Sequence, residues 1–293
     1  MRKNQSSLTA AGIAIARAVE SEKPADERIC YDPYARQFVP AWMYRLLGFF
    51  IKSGYAELRG PGVNGFLMAR ERYIDDVLQT FLNEGLRQIV ILGAGYDSRA
   101  YRFDLPGWVK TFEVDHPVTQ ADKLEKVQRV FGKIPEHVTY VPVDFNTQTL
   151  SERLLSSGYD PGLISLFIWQ GVTMYLTPVG VDTTLAFIVK SAAPGSAIVF
   201  DYVYQAVLDG IQKRSEISNM RRYRFMTGEG LTFGIPEGSA GAFLRARGFQ
   251  QVKDVTMDDL KAAYFTGKNA SRRVAGGYGI VIGKVWLQGK EAL

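Results

Sequence analysis

Cysteine occurs once in the 293 residues, as Cys30, and histidine twice, as His116 and His137. A single cysteine excludes an intrachain disulfide. Three such residues scattered along the chain form no cluster for a tightly held zinc ion, so no metal is expected. No G-x-S-x-G turn occurs, and two histidines offer little choice of base, which leaves a Ser-His-Asp hydrolase hard to place. No apolar run approaches the roughly 20 residues that span a bilayer. Met1 to Ser7 is basic and polar without an apolar signal segment. The cytoplasm is therefore the expected compartment, with no membrane partner. Neither sign of charge dominates: 35 basic and 30 acidic residues give +5. The densest basic stretch, Lys213–Arg224, reads as a solvated helix face, and nucleic acid is not an expected partner. Internal repeats and low-complexity tracts are absent. What survives is chemistry that needs no metal and little acid–base machinery.

The stretch Ile89 to Arg102, I-V-I-L-G-A-G-Y-D-S-R-A-Y-R, is the most informative one present. Four apolar residues suit a strand buried on both faces. Gly93 and Gly95 follow, where bare backbone lets a ligand approach. A second strand-like segment, Val109 to Val114, brings the acidic pair Glu113 and Asp115. A strand, a glycine turn and an acid after the next strand suit a nucleoside cofactor, the acid accepting from ribose hydroxyls. The third glycine of G-x-G-x-x-G is replaced by Ser98, preceded by Asp97. A carboxylate there would repel a pyrophosphate, whereas S-adenosyl-L-methionine carries a sulfonium and an ammonium and no phosphate. The pattern thus favours that cofactor over a dinucleotide and disfavours an oxidoreductase.

The first 85 residues read as a helical cap. Ser6–Ala18 has one apolar face. Asp32 and Pro33 form a start signal for an aromatic helix over Tyr34–Phe50, a candidate interface. Helical spacing returns at Phe66–Leu82. Residues 86–201 alternate short strands with helices, the signature of a parallel sheet. Strands are expected near Ile89–Leu92, Val109–Val114, Val138–Val141, Leu163–Trp169, Ala197–Phe200, Gln251–Val255 and Gly279–Trp286. Residues 202–232 read as a helical insertion or lid, and 233–293 as strands completing the sheet, one of them antiparallel at its edge. The whole is expected to be one domain of the α/β class, a Rossmann-like seven-stranded sheet.

Four segments converge on the carboxyl edge of such a sheet. The glycine turn backs the methionyl part of the cofactor, and the acid after the second strand holds ribose. Asp144 and Phe145, after the third strand, suit adenine. Trp169 to Pro178, after the fourth, meets the methyl acceptor. Here the chain resembles a known family. A-G-Y-D-S-R-A-Y-R, F-E-V-D-H-P, V-D-F and W-Q-G-V-T-M-Y-L-T are similar to strings of the leucine carboxyl methyltransferase family. The nearest likeness is to its bacterial branch of S-adenosylmethionine-dependent O-methyltransferases linked to polyketide-type small molecules. Ser7–Ala10, Tyr31–Ala35 and Ala69–Arg72 extend the likeness to the N-terminus.

The resemblance implies a class I methyltransferase fold and a role for each matching residue. Arg70 falls on the family's arginine for the cofactor carboxylate, a fork-to-fork contact. Gly93, Ala94 and Gly95 fall on the cofactor turn. Asp115 matches the ribose acid, with Glu113 as runner-up, and Asp144 with Phe145 matches the adenine pair. Gln170 stands where the family often has glutamate, keeping an acceptor while losing the charge. His116 is expected on the adenosine side or in a structural role, and Tyr175 packs the crevice or binds the acceptor. No catalytic residue is assigned, because methyl transfer rests mainly on in-line positioning and an ionised carboxylate acceptor needs no base. The implied activity is O-methylation of a carboxylate or hydroxyl on a small molecule or peptide. The alternatives are modification of RNA, since a relative of the family acts on a hypermodified tRNA base, and a binder of the cofactor without turnover.

Overall fold

Strand β1 (Gln88–Leu92) is buried along its entire length, as an Ile/Val run between two parallel neighbours must be. Those neighbours are β2 (Lys110–Asp115) and β4 (Ser165–Trp169). Outside them lie β3 (Val138–Pro142) and β5 (Ala197–Val203), both parallel. The antiparallel strand expected on that side is β7 (Tyr278–Val285), with β6 (Phe249–Val255) outside it. The order is β3-β2-β1-β4-β5-β7-β6. Strand order reverses between β1 and β4, so a crevice opens at their carboxyl ends. The computed structural model describes residues 8–144, 148–210 and 230–286.

Alternating side chains of β1 feed two cores. Val90 and Leu92 face a layer that includes α7 (Leu150–Ser156), α8 (Pro178–Ser191) and α10 (Ala240–Arg245). Ile89 and Ile91 face α4 (Val63–Asn83) and α11 (Met257–Tyr264). Between α10 and β5 lies the short α9 (Gln205–Leu208). A third core joins α1 (Leu8–Ser21), Phe38, Tyr44 of α2 (Ala41–Lys52), Tyr96 and Val127 of α6 (Pro117–Phe131). A five-residue α3 (Tyr55–Arg59) links α2 to α4.

Two sequence expectations change. The aromatic helix over Tyr34–Phe50 is broken: a 3-10 turn at Ala35–Phe38 ends at extended Val39, and α2 starts after Pro40. Val39 precedes proline, which disfavours the helical conformation there. Asp32 accepts from the N–H groups of Tyr34 and Ala35 at 3.0 and 2.9 Å, but the turn starts at Ala35 with Tyr34 at its cap position, so Pro33 is not its first residue. The insertion also begins later than residue 202, because β5 continues through Val203. Most of that insertion, with the basic segment Lys213–Arg224, lies outside the described residues.

Charge is buried beneath the crevice. Arg99, on the single-turn helix α5 (Arg99–Arg102), is fully buried. It pairs with Asp75 at 2.8 Å and Glu71 at 3.1 Å, and with Asp97. Arg102 joins Asp75 at 2.6 Å, and Arg17 of α1 pairs with Asp32 at 2.9 Å. These pairs bind the cap to the sheet domain through α4. They also correct the sequence argument from Asp97: its carboxylate is turned onto Arg99 and does not face the crevice. Glu113 is equally interior, two residues deeper than Asp115 on the same face of β2. It pairs with Lys123 at 2.7 Å, both side chains 1% exposed, and accepts from Tyr101 at 3.0 Å. Burial pushes its carboxyl above the ordinary value despite that lysine. The runner-up ribose acid is therefore a structural ion pair.

Removing one member of a buried pair strands the other charge. Lys123→Met is expected to lower unfolding free energy by about 3–5 kcal/mol, and Lys123→Met with Glu113→Leu to recover most of that. Urea titrations of the three proteins check it.

Candidate functional site

The glycine turn and the acid after β2 form one unit. Gly93 and Ala94 both donate to the carbonyl of Val114, at 2.8 and 3.0 Å. Gly95 donates to Oδ2 of Asp115 at 2.5 Å, and His116 N–H to its Oδ1 at 2.6 Å. Gly93 has φ +68 and a side chain there would strike Val172, so glycine is required on both counts. Each Asp115 oxygen keeps a lone pair beyond its backbone contact. Burial raises the Asp115 carboxyl above its ordinary value, against the pull of those two N–H groups.

Across the crevice stands Arg70, projecting from α4 and 2% exposed. Its Nη1 donates to Oδ2 of Asp201 on β5 at 2.5 Å. The other Asp201 oxygen accepts from Gly171 N–H at 2.6 Å. Gly171 has φ +71, and a Cβ there would sit 3.5 Å from the Arg70 guanidinium. Arg70 Nε and Nη2 are buried without a hydrogen-bond partner among the described residues. That pair is the side-on fork matching a carboxylate. Leaving two such donors dry costs roughly 1–3 kcal/mol each, which a bound anion would restore.

Gln170 behaves alike. Its Nε2 donates to Oε2 of Glu71 at 2.6 Å, and its Oε1 is buried without a partner among the described residues. Burial opposes the charge on Glu71, but Arg99, Arg17 and Arg102, with the Gln170 amide, hold its carboxyl far below the ordinary range. A glutamate at 170 would press a second carboxylate against Glu71; the amide donates instead. Helix α1 lies across both turns. Ala10 Cβ is 3.2 Å from where a Gly95 Cβ would stand, and Ile13 4.0 Å from that of Gly171.

The remaining expected residues divide. Val143 N–H donates to the carbonyl of Asp115 at 2.9 Å, so Asp144 follows directly beside Asp115. Its main chain closes on Gln148, while Thr149 caps α7; Asp144 is not that cap. Phe145 lies outside the described residues. His116 caps α6, its Nδ1 accepting from Val118 N–H at 3.3 Å with Pro117 next. Its lone pair is thereby engaged in structure. Tyr175 ends the 3-10 turn Thr173–Tyr175 after β4. The returning end of the insertion borders it: Thr232 N–H donates to Met174 at 2.8 Å and its hydroxyl to Leu176 at 2.7 Å.

Comparison with known proteins now bears on this geometry. The model of the leucine carboxyl methyltransferase family matches residues 10–189. The chain belongs to the leucine carboxyl methyltransferase family. Among curated relatives, the Bacillus subtilis "Putative S-adenosyl-L-methionine-dependent methyltransferase YktD" is 27% identical over 289 residues, covering 92% of this chain and 94% of that one. A Mycobacterium tuberculosis protein, "Putative S-adenosyl-L-methionine-dependent methyltransferase", is 29% identical over 276 residues, 87% of each chain. The fold is shared with a crystal structure titled as a putative methyltransferase from Thermobifida fusca. There the TM-score is 0.56 at 12% identity, covering 96% of both chains. A DUF574 family protein from Streptomyces avermitilis gives the same TM-score and identity over 96% of this chain and 98% of that one.

For this leucine carboxyl methyltransferase family member, sequence reasoning missed two residues at the site. Asp201 anchors Arg70 and Gly171 together, and Glu71 orients Gln170. A signal for the first was present: a carboxylate inside the apolar run A-I-V-F-D-Y-V requires a buried partner. Glu71 is adjacent to Arg70 in sequence, yet nothing in the chain announces its contact with residue 170.

Asp201→Asn keeps an acceptor for Gly171 but leaves the Arg70 guanidinium without its counter-charge. Its expected effect is a loss of about 3–5 kcal/mol in chemical unfolding, larger than for an exposed aspartate such as Asp209.

Proposed function

We propose that this methyltransferase moves the methyl group of S-adenosyl-L-methionine to a carboxylate or hydroxyl oxygen of a small molecule or peptide in the cytoplasm. A polyketide-type small molecule is the acceptor class its bacterial branch suggests. The observation that carries the cofactor's part of the proposal is the Nε/Nη2 edge of Arg70, without a partner among the described residues, together with Gln170 Oε1, likewise unpartnered there. One donor pair and one acceptor, both buried, are the complement of an amino acid's carboxylate and ammonium.

Arg70 holds the carboxylate of the methionyl end. Gln170 Oε1 accepts from its ammonium, fixed in direction by Glu71. Gly93, Ala94 and Gly95 let the cofactor lie against backbone. Asp115 takes the ribose hydroxyls, and Asp144 with Phe145 takes adenine. The cofactor supplies an electrophilic methyl on sulfonium. The chain's own work is positioning, holding the acceptor oxygen in line near 3 Å and excluding water beneath α1. Tyr175 faces the acceptor side, between the β4 loop and the returning insertion. A carboxylate acceptor arrives ionised, which suits a site with His116 spent on a cap.

The test is transfer of label from methyl-labelled donor to a panel of carboxylic, hydroxylic and amine acceptors, with base treatment to release methyl esters. Label on oxygen supports the proposal, and base-labile label assigns the carboxyl. Label only on nitrogen or carbon overturns it. A separate expectation concerns pH. Asp115 accepts from ribose as the carboxylate, and burial raises its folded-state value. Affinity for S-adenosylhomocysteine should be flat above that raised value and fall as pH drops through it, at higher pH than an exposed aspartate would give. Calorimetric titration across acidic to neutral pH measures it.

A further inference from the structure

Helix α2 exposes the kind of face that a core helix hides. Of its 12 residues only Tyr44 and Gly48 are buried. Trp42 is 65% exposed, Phe49 64%, and Leu58 on α3 82%. Leu46 and Phe50 are exposed as well. The rings of Phe49, Phe50 and Tyr55 touch in sequence, with centroids 5.9 and 5.3 Å apart, so the residues form one ridge. Contiguous apolar surface on this scale marks a contact site.

The ridge is basic as well as apolar. Residues 41–59 hold Arg45, Lys52 and Arg59 against one acid, Glu57; Lys52 pairs with Glu22 at 2.5 Å and Glu57 Oε1 accepts from Gly62 N–H at 2.8 Å, so the ridge's excess rests on Arg45 and Arg59. A groove of about 600 Å³ opens alongside, lined by Ser53 and Leu58 from the ridge and by Lys23, Arg272 and Arg273. Lys23 and Arg272 share Glu20, at 2.8 and 2.7 Å. Arg45 and Arg273 are exposed. Glu20 and Glu57 leave the groove with a cationic excess.

An apolar ridge seeks a low-dielectric phase, and the cations beside it seek an anion. A second copy of the chain satisfies the second less well, because an isologous contact brings the same net-positive patch from both subunits. The interface of an anionic bilayer satisfies both, offering acyl chains and phosphates within one layer. We propose that the α2–α3 ridge is a membrane-surface site for anionic phospholipid, with Trp42, Phe49 and Leu58 entering the acyl boundary and a headgroup phosphate received in the groove at Arg273. This departs from the sequence expectation of no membrane partner. It concerns surface binding, since no helix among the described residues is long and apolar enough to cross a bilayer. It is independent of the methyl acceptor.

Full-length protein sedimented with vesicles tests it. Vesicles of phosphatidylcholine containing roughly one-third phosphatidylglycerol should retain the protein at least about tenfold better than phosphatidylcholine alone, and added salt should weaken retention. Phe49→Glu and Arg273→Glu should each reduce retention about tenfold, while the melting shift with S-adenosylhomocysteine stays as in the parent. No retention on either vesicle, or retention that ignores both substitutions, overturns the proposal. So does a dimer in light scattering that Phe49→Glu dissociates, which would assign the ridge to a second copy. Stabilisation by inorganic phosphate without vesicle binding would assign the groove to a soluble anion instead.

Discussion

Arg70 and Asp201 lie 131 residues apart in sequence and meet at 2.5 Å where α4, the end of β5 and the turn after β4 converge. One carboxylate oxygen fixes the guanidinium and the other fixes Gly171 N–H. The pair therefore sets both the direction of the arginine and the path of the acceptor-side loop. With Nη1 committed, the side-on edge of Arg70 is left buried without a partner among the described residues. A buried donor pair held in place by its own counter-ion is preorganised for an anion. Every role proposed for the neighbouring residues is defined relative to that edge.

A second layer of charge supports this geometry from below. Arg99 gathers Glu71, Asp75 and Asp97, and Arg17 brings α1 to the same group. Buried networks of this kind are weak evidence for net stability, but they constrain position, and here they position two things. Glu71 directs the amide of Gln170, and Arg17 keeps α1 lying over the glycine turn. An amide at Gln170 is locally consistent, since negative charge beside it is already held by Glu71.

The sheet was legible because its signals are local. Short apolar runs between glycine and polar turns specified all seven strands to within about three residues, the widest miss being the end of β5 at Val203, and β2 ended on Asp115 with the turn of Gly95 hydrogen-bonded to it. The aromatic cap was read less well: Pro40 disfavours a helical Val39, a signal that the helical spacing of the aromatics over Tyr34–Phe50 masked. Contacts between distant segments were not legible. Neither the Arg70–Asp201 pair nor the Glu71–Gln170 hydrogen bond has a spacing rule, because each joins side chains that only the finished sheet order brings together. Asp97 shows the converse error. Its place beside the glycine turn suggested a charge facing the ligand, whereas Arg99 two residues later draws it inward.

The most direct measurement is the structure of the complex with S-adenosylhomocysteine. The account predicts its carboxylate on Arg70 Nε and Nη2 at about 2.7–2.9 Å, with Asp201 still on Nη1 and the ribose hydroxyls on Asp115. A complex in which the amino-acid end lies elsewhere and the Arg70 edge stays bare would contradict it.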